Sequence, residues 1–262
     1  MESKVNYKPL ADQEFMRHFD LRMTYEQDAD IWIPYLPTHS SWLSVQGSSI
    51  PTKTEGHPTA LFQSSSIDRS GRNAFAAALM RYTMVDSYGQ FLKNRSLAEP
   101  DAGRITKLTV IGRYHFHLAL ENSIAPDYVT EKVFDGLFAG AVPIYRGAPN
   151  FREFVPEGSF VDAAAFNGPK SLADYLHHLI QNPTDYAAYF AWRHKPLPPW
   201  LLEKTAKIET GPLLRLQRAV TSALKHGRRQ KYEIPHYPFG LFTAIKSRVR
   251  PIKAWMRKLK GD

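Results

Sequence analysis

The stretch Tyr114–Phe166 leaves this chain the fewest choices. It reads YHFHLALENSIAPDYVTEKVFDGLFAGAVPIYRGAPNFREFVPEGSFVDAAAF. Tyr114–Leu120 is short, aromatic and aliphatic, the pattern of a buried strand. A polar turn, Glu121-Asn122-Ser123, is followed by Pro126 and Asp127. The run Thr130–Phe138 then places Val133, Phe134, Leu137 and Phe138 on one helical face, Gly140 closes it, and Ala141–Tyr145 is a second apolar strand. Strand, loop, helix and strand make a βαβ unit. Its loop feeds a helix N-terminus, where unpaired N–H groups and the helix dipole favour an anion. Glu121, Asn122, Ser123, Tyr128, Thr130, Glu131 and Lys132 crowd that junction, more polar groups than a connector needs.

A looser copy precedes it. Thr59–Gln63 reads as a strand, Ser64-Ser65-Ser66 opens a loop ending in Ser70-Gly71-Arg72, and Asn73–Tyr82 has Phe75, Leu79 and Tyr82 at helical spacing. Met84 and Val85 lead into a third strand and turn at Asp86–Gly89. Two such units in succession predict an α/β fold with a parallel sheet flanked by helices and ligands at the carboxyl ends of its strands. Upstream, Asp30–Tyr35 reads as a short strand, and residues 36–57, rich in Ser, Thr, Pro and Gly, as a linker. Downstream the pattern is helical at Leu172–Ile180, at Tyr186–Arg193 (ended by Pro196, Pro198 and Pro199) and at Gly211–Lys225.

Composition narrows the chemistry. There is no cysteine, which excludes disulfides, thiolate catalysis and Cys-based zinc sites and permits a reducing cytoplasm. No run approaches the ~20 apolar residues of a membrane span. The opening MESKVNYKPLADQEF lacks the apolar core of a signal peptide. The net charge of +9 is concentrated at one end: His226–Asp262 holds ten Lys and Arg against Glu233 and Asp262, a tail of +8. From Phe239 on, Leu241, Phe242, Ile245, Val249, Ile252, Trp255, Met256 and Leu259 recur at helical spacing, with Pro251 as a kink. A basic amphipathic helix of this kind either lies on an anionic membrane surface, at about 1 kcal/mol per cation, or docks on the body with its charges solvated. No nucleic-acid motif interleaves the basic residues, so nucleic acid is not an expected partner.

Neither GxGxxG, GxxxxGK[ST] nor HExxH occurs. His115 and His117 lack a third ligand and read as packing residues. What remains is a pair of cations, Arg72 and Lys132, each at a helix start where a positive charge is unfavourable unless an anion binds. They form either a diphosphate clamp or two solvated surface charges.

The segment FHLALENSIAPDYVTEKVFDGLFAGAVPIYRG…FVPEGSFVD resembles the donor-binding motif of the α1,3/4-fucosyltransferases of glycosyltransferase family 10, F-E-N-S, D-Y-[IV]-T-E-K, A-G-[AT]-[VI]-P and V-P-x-G-S-F-[IV]. MTYEQDADIWIPY, SGRNAFAAALMRYTMVDSYG and YFAWR resemble further family motifs, so the likeness covers about residues 2–193. It implies a GT-B arrangement with a Rossmann-like donor domain at 58–225 and residues 1–57 as the remnant of an acceptor-side domain and its linker, while the charge count sets off 226–262 as the basic tail. It implies GDP-β-L-fucose as donor, with Arg72 and Lys132 on the diphosphate and Asn122, Tyr128 and Glu131 around the guanosine and fucose. The implied reaction is inverting, onto a hydroxyl of an acceptor oligosaccharide, a GlcNAc in α1,3-type linkage. Met1-Glu2-Ser3 resembles the E-S-[PS] segment that carries the family's general base, which assigns that role to Glu2. The resemblance leaves donor binding to basic side chains and helix N-termini, so neither metal nor cofactor is expected. Most of the acceptor-side domain has no counterpart, which leaves a donor-binding fragment without turnover as the alternative. Glu26 stands where the family has Arg and Leu36 where it has Gly, and the cysteines of animal members are missing. The last departure fits a bacterial, cytoplasmic enzyme, held at the inner membrane by residues 239–262.

Overall fold

The structure is a computed structural model and describes residues 3–226. In chain order its elements are α1 (Gln13–Met16), β1 (Met23–Thr24), β2 (Ile31–Trp32), α2 (His39–Leu43), β3 (Thr59–Leu61), α3 (Arg72–Leu79), β4 (Val85–Ser87), α4 (Arg104–Gly112), β5 (Phe116–Leu120), α5 (Glu131–Ala139), β6 (Val142–Arg146), β7 (Val161–Asp162), α6 (Pro169–Gln181), α7 (Pro183–Ala188), α8 (Pro199–Glu209) and α9 (Pro212–His226). Glu2 and the tail from residue 227 onward lie outside the described residues, and with them the expected base and the expected amphipathic helix.

Five strands form one sheet in the order β4-β3-β5-β6-β7, every pair parallel. Parallel strands sandwiched by helices must be apolar on both faces, and β5 is buried at all five positions. Its alternate residues serve different layers. Phe116, Leu118 and Leu120 pack with Leu61, Val142 and Ile144 beneath α3 and α6, against Ala76, Leu79, Leu172 and Leu176. Ala119 and Tyr145 face the other side, where Val133, Phe134 and Leu137 of α5 close on them. The expected parallel α/β architecture is therefore present.

Gly140 ends α5 in the left-handed region at φ 77°, and an added Cβ there would lie 2.6 Å from Pro51 Cδ, so the position takes only glycine.

Several elements differ from the sequence reading. The Ser- and Pro-rich segment 36–57 contains α2, whose Trp42 is fully buried edge-on to Phe134, Phe138 and Trp192. The expected helix Tyr186–Arg193 instead breaks after Ala188 and resumes as a 3-10 turn at Ala191–His194. There Arg193 turns inward, donating to the Leu137 carbonyl at 2.6 Å and to Ser48 Oγ at 2.7 Å. The prolines after it begin α8, with Pro199 at the first helical position, where a missing N–H costs nothing.

Candidate functional site

The sheet order reverses between β3 and β5: the chain leaves β3 for β4 on one side, then returns to β5 on the other. At such a switch point the loops leaving the two strands part and open a crevice at their carboxyl ends. A cavity of about 240 Å³ lies there. Phe62–Ser65 line it from the end of β3, Arg72 from the start of α3, Asn122 from the end of β5, and Tyr128 with Thr130–Lys132 from the start of α5. Tyr35 reaches it from the segment after β2.

The α5 side is built on a buried carboxylate. Glu121 is fully buried, accepting from the Thr130 N–H at 2.8 Å and from Thr130 Oγ1 at 2.8 Å. Lys132 Nζ donates to Thr130 Oγ1 at 2.7 Å and stands 3.2 Å from Glu121 Oε2 and 3.3 Å from Glu131 Oε1. Burial pushes the Glu121 carboxyl above the usual range, only partly offset by Lys132 and Thr130. Burial works against the Lys132 charge as well, but Glu121 and Glu131 outweigh it and hold the ammonium above its ordinary value. For Glu131, burial is overcome by Lys132 and by its own backbone N–H, so its carboxyl stays below the usual range. Lys132 is thus a fixed cation at the first turn of a nine-residue helix, tethered from beneath.

The α3 side is built differently. Arg72 is buried, and its guanidinium donates to the carbonyls of Ser65 at 2.9 Å, Ile67 at 3.0 Å and Leu120 at 3.3 Å. The serine-rich loop is wrapped around this side chain. Asp68 closes the helix end, its carboxylate accepting from the N–H groups of Arg72 at 2.9 Å and Asn73 at 3.1 Å. The backbone carbonyl of Asn122 in turn accepts from the N–H groups of Arg69 and Ser70 at 2.7 and 3.1 Å, stitching the two loops together.

Aromatic packing sets the outer wall. Tyr128 is buried with its ring 5.1 Å from Tyr25 and 6.3 Å from Tyr35, both edge-on. Just before it, Asp127 adopts a left-handed φ of 62°, held by Asn150 and by Gln27, which donates through its backbone N–H at 3.0 Å and its amide at 2.8 Å. The family-like segment around residues 22–35 therefore braces the loop that presents Tyr128.

The family model described as "Glycosyltransferase family 10 (fucosyltransferase) C-term" matches residues 51–228. The chain belongs to this family. Among its relatives, "GDP-fucose protein O-fucosyltransferase 3" of Danio rerio is 34% identical over 73% of this chain and 44% of its own length. "Alpha-(1,3)-fucosyltransferase B" of Drosophila melanogaster is 29% identical over 72% and 46%. The chain thus spans about half the length of the curated relatives it matches. A crystal structure of α1,3-fucosyltransferase with GDP aligns at a TM-score of 0.58 and 17% identity, covering 79% of this chain and 71% of that one. Another, with GDP-fucose, aligns at 0.50 and 20%, covering 68% and 50%. At these identities the likeness concerns the fold.

In this family 10 domain, all five residues expected to hold the donor (Arg72, Asn122, Tyr128, Glu131 and Lys132) line the one cavity. His117 is buried beneath α5, where a Cβ added to Gly136 would lie 3.4 Å from its Nδ1; burial keeps the ring neutral, as a packing residue should be. Among the described residues there is no cluster of three or more potential metal ligands, and no helix is long and apolar enough to cross a membrane. Sequence reasoning missed the partners of the two cations. Glu121 was legible as polar but not as the buried counter-charge of Lys132. Asp68, which accepts from the N–H groups of Arg72 and Asn73, stands three residues before the N-cap Gly71, outside the position at which a cap is read from sequence.

Proposed function

We propose that this chain binds GDP-β-L-fucose in the switch-point cavity and transfers L-fucose, with inversion, to an acceptor hydroxyl. The observation that carries the reading is the convergence of Arg72, Asn122, Tyr128, Glu131 and Lys132 on one crevice of a family 10 domain. As the bond between the anomeric carbon and the β-phosphate breaks, negative charge grows on the departing GDP. Lys132 and the N–H groups opening α5 stand ready to stabilise it without reorganising. Tyr128 offers a ring face to the nucleoside or sugar, and Asn122 and Glu131 offer hydrogen bonds to its hydroxyls. Glu2 takes the proton of the attacking hydroxyl. No metal or cofactor enters this scheme, because basic groups neutralise the diphosphate.

The acceptor in this reading is a GlcNAc-containing oligosaccharide joined in α1,3 linkage. Residues 239–262 hold the enzyme to the cytoplasmic face of an anionic bacterial inner membrane. The 34% identity to a protein O-fucosyltransferase favours a second acceptor class, the hydroxyl of a protein side chain. A chain that binds the donor without turning it over is the remaining alternative.

Calorimetric titration with GDP-fucose, GDP-mannose and UDP-glucose tests the donor assignment, and transfer of labelled fucose to oligosaccharide and protein acceptors tests the activity. GDP-fucose is expected to bind tightest, with GDP close behind. Failure to prefer guanosine over uridine diphosphate sugars would sink the reading. Binding without transfer to any acceptor would leave the non-catalytic alternative. Glu2→Gln is expected to lower transfer while leaving GDP affinity within about twofold.

A further inference from the structure

A second cleft, of about 440 Å³, shares no lining residue with the donor cavity. It lies where α8 and the first turns of α9 face the segment Gln27–Trp32. Four cations line it, Lys204 and Lys207 from α8 and Arg215 and Arg218 from α9. Ile31 and Trp32 supply an apolar floor. The single acid among the lining residues is Asp30, whose carboxylate already accepts from the Arg22 N–H at 2.8 Å.

Like charges three residues apart on a helix repel, and here two such pairs face one another across a cleft. Two of the four are also partly withdrawn from water. Lys204 is 14% exposed, its ammonium 4.8 Å from the ring centre of Phe154 and 5.6 Å from that of Trp32. Arg215 is anchored by donating to the Trp32 carbonyl. Burial pulls both groups below their ordinary pKa values, Lys204 despite Glu153 at 4.0 Å and Asp127, which act in the opposite sense, so a desolvation cost remains that a bound anion would reduce. Lys207 and Arg218 stand at the mouth, Lys207 in a solvent-exposed pair with Glu203 that an incoming anion can displace.

We propose that this cleft is a second anion site, which takes the phosphoryl group of a ligand other than the sugar-nucleotide donor while the ligand's apolar portion rests on Ile31 and Trp32. The site is joined to the donor loop. Lys204 Nζ donates to the Gln27 side-chain oxygen, Gln27 donates to Asp127, and Asp127 precedes Tyr128 in the donor cavity. The phosphoryl group belongs either to a soluble phosphate ester or to a lipid diphosphate.

The test uses the full chain saturated with GDP, so that the donor cavity is filled, and titrates it with inorganic pyrophosphate. A further saturable site is expected. Lys207→Glu combined with Arg218→Glu should weaken it about tenfold and leave GDP affinity within twofold. The same proteins are then pelleted with phosphatidylcholine vesicles containing a polyprenyl diphosphate. Pelleting lost in the double variant assigns the phosphoryl group to a lipid; a variant-sensitive pyrophosphate site without pelleting assigns it to a soluble ligand. Pyrophosphate affinity unchanged by the double variant, or no second site at all, overturns the proposal. If GDP itself does not bind, the donor reading falls separately, and the free protein bearing Lys132→Met with Glu121→Gln becomes the background for the same titration.

Discussion

Helices α3 and α5 follow adjacent parallel strands onto opposite faces of the sheet, and each carries a cation in its first turn. Their first turns are nevertheless put to opposite uses. At α3 the chain supplies its own anion, since Asp68 accepts from two first-turn N–H groups, and the Arg72 guanidinium is spread over three carbonyls. At α5 the N-cap Thr130 does not cap; its hydroxyl is committed to Glu121 below. The acid of that first turn, Glu131, pairs with Lys132 at 3.3 Å and keeps 46% of its side chain exposed. One helix end is closed and braces loops. The other lies over a buried ion pair, which puts a cation and the helix dipole together at the crevice, the combination that the proposed diphosphate site needs.

Lys132→Ala should break this contrast most severely. It strands Glu121 in the interior, and removing one partner of a buried pair costs about 3–5 kcal/mol, readable as a lower urea midpoint. GDP binding should be lost with it. The cost should depend on pH in a definite sense. Burial already sets the Glu121 carboxyl above its unfolded value, and losing Lys132 removes a charge that held it down. A carboxyl raised in the folded state keeps its proton more tightly there, so its contribution to stability falls as pH rises from the unfolded value through the folded one. The deficit is therefore expected to be larger at pH 8 than at pH 5. Lys132→Met with Glu121→Gln should restore the midpoint but not GDP affinity. A double variant that bound GDP like the parent would end the case for Lys132 as a donor contact.

Arg72→Ala should come next, at about 2–3 kcal/mol, because the carbonyls of Ser65, Ile67 and Leu120 lose their donor. Arg72→Lys separates its two possible duties. Lysine keeps the charge but cannot reproduce the planar three-way geometry. GDP affinity rescued by lysine while the midpoint stays low would assign Arg72 to the diphosphate. Affinity that simply follows stability would make it a brace.

How much of this was legible follows from how each signal is encoded. Strand β5, helix α5 and strand β6 were read to within two residues, because full burial forces an unbroken apolar run and Gly140 has to adopt a left-handed φ. Helix α4 was missed. Five of its nine residues (Ile105, Thr106, Thr109, Val110 and Ile111) are β-branched and disfavour helix locally. It forms because Val110 and Ile111 are buried in the core beside α5. The α3 cation was legible, but not that its charge would be turned onto the backbone, since that depends on how the Ser64–Ser66 loop folds back. The Lys132–Glu121 pair spans eleven positions through an irregular loop, a distance no periodicity records. That Arg72, Asn122, Tyr128, Glu131 and Lys132 would come together was legible because they lie within motifs whose order and spacing are long enough to align.

The smallest effect sharpens the comparison most. Asp68→Ala removes the carboxylate that closes α3, at a cost of about 1 kcal/mol for a lost cap. It also makes α3 resemble α5, with first-turn N–H groups now open above the same crevice. An external anion should then bind there and recover part of the loss. Inorganic phosphate is accordingly expected to raise the urea midpoint of Asp68→Ala more than that of the parent, whose α3 is already closed. GDP affinity should stay within about twofold, because the cation at α5 is untouched. Equal stabilisation of parent and variant by phosphate would mean that Asp68 is not what separates the two helix ends, and the cause would then have to lie in the Glu121–Thr130–Lys132 cluster alone.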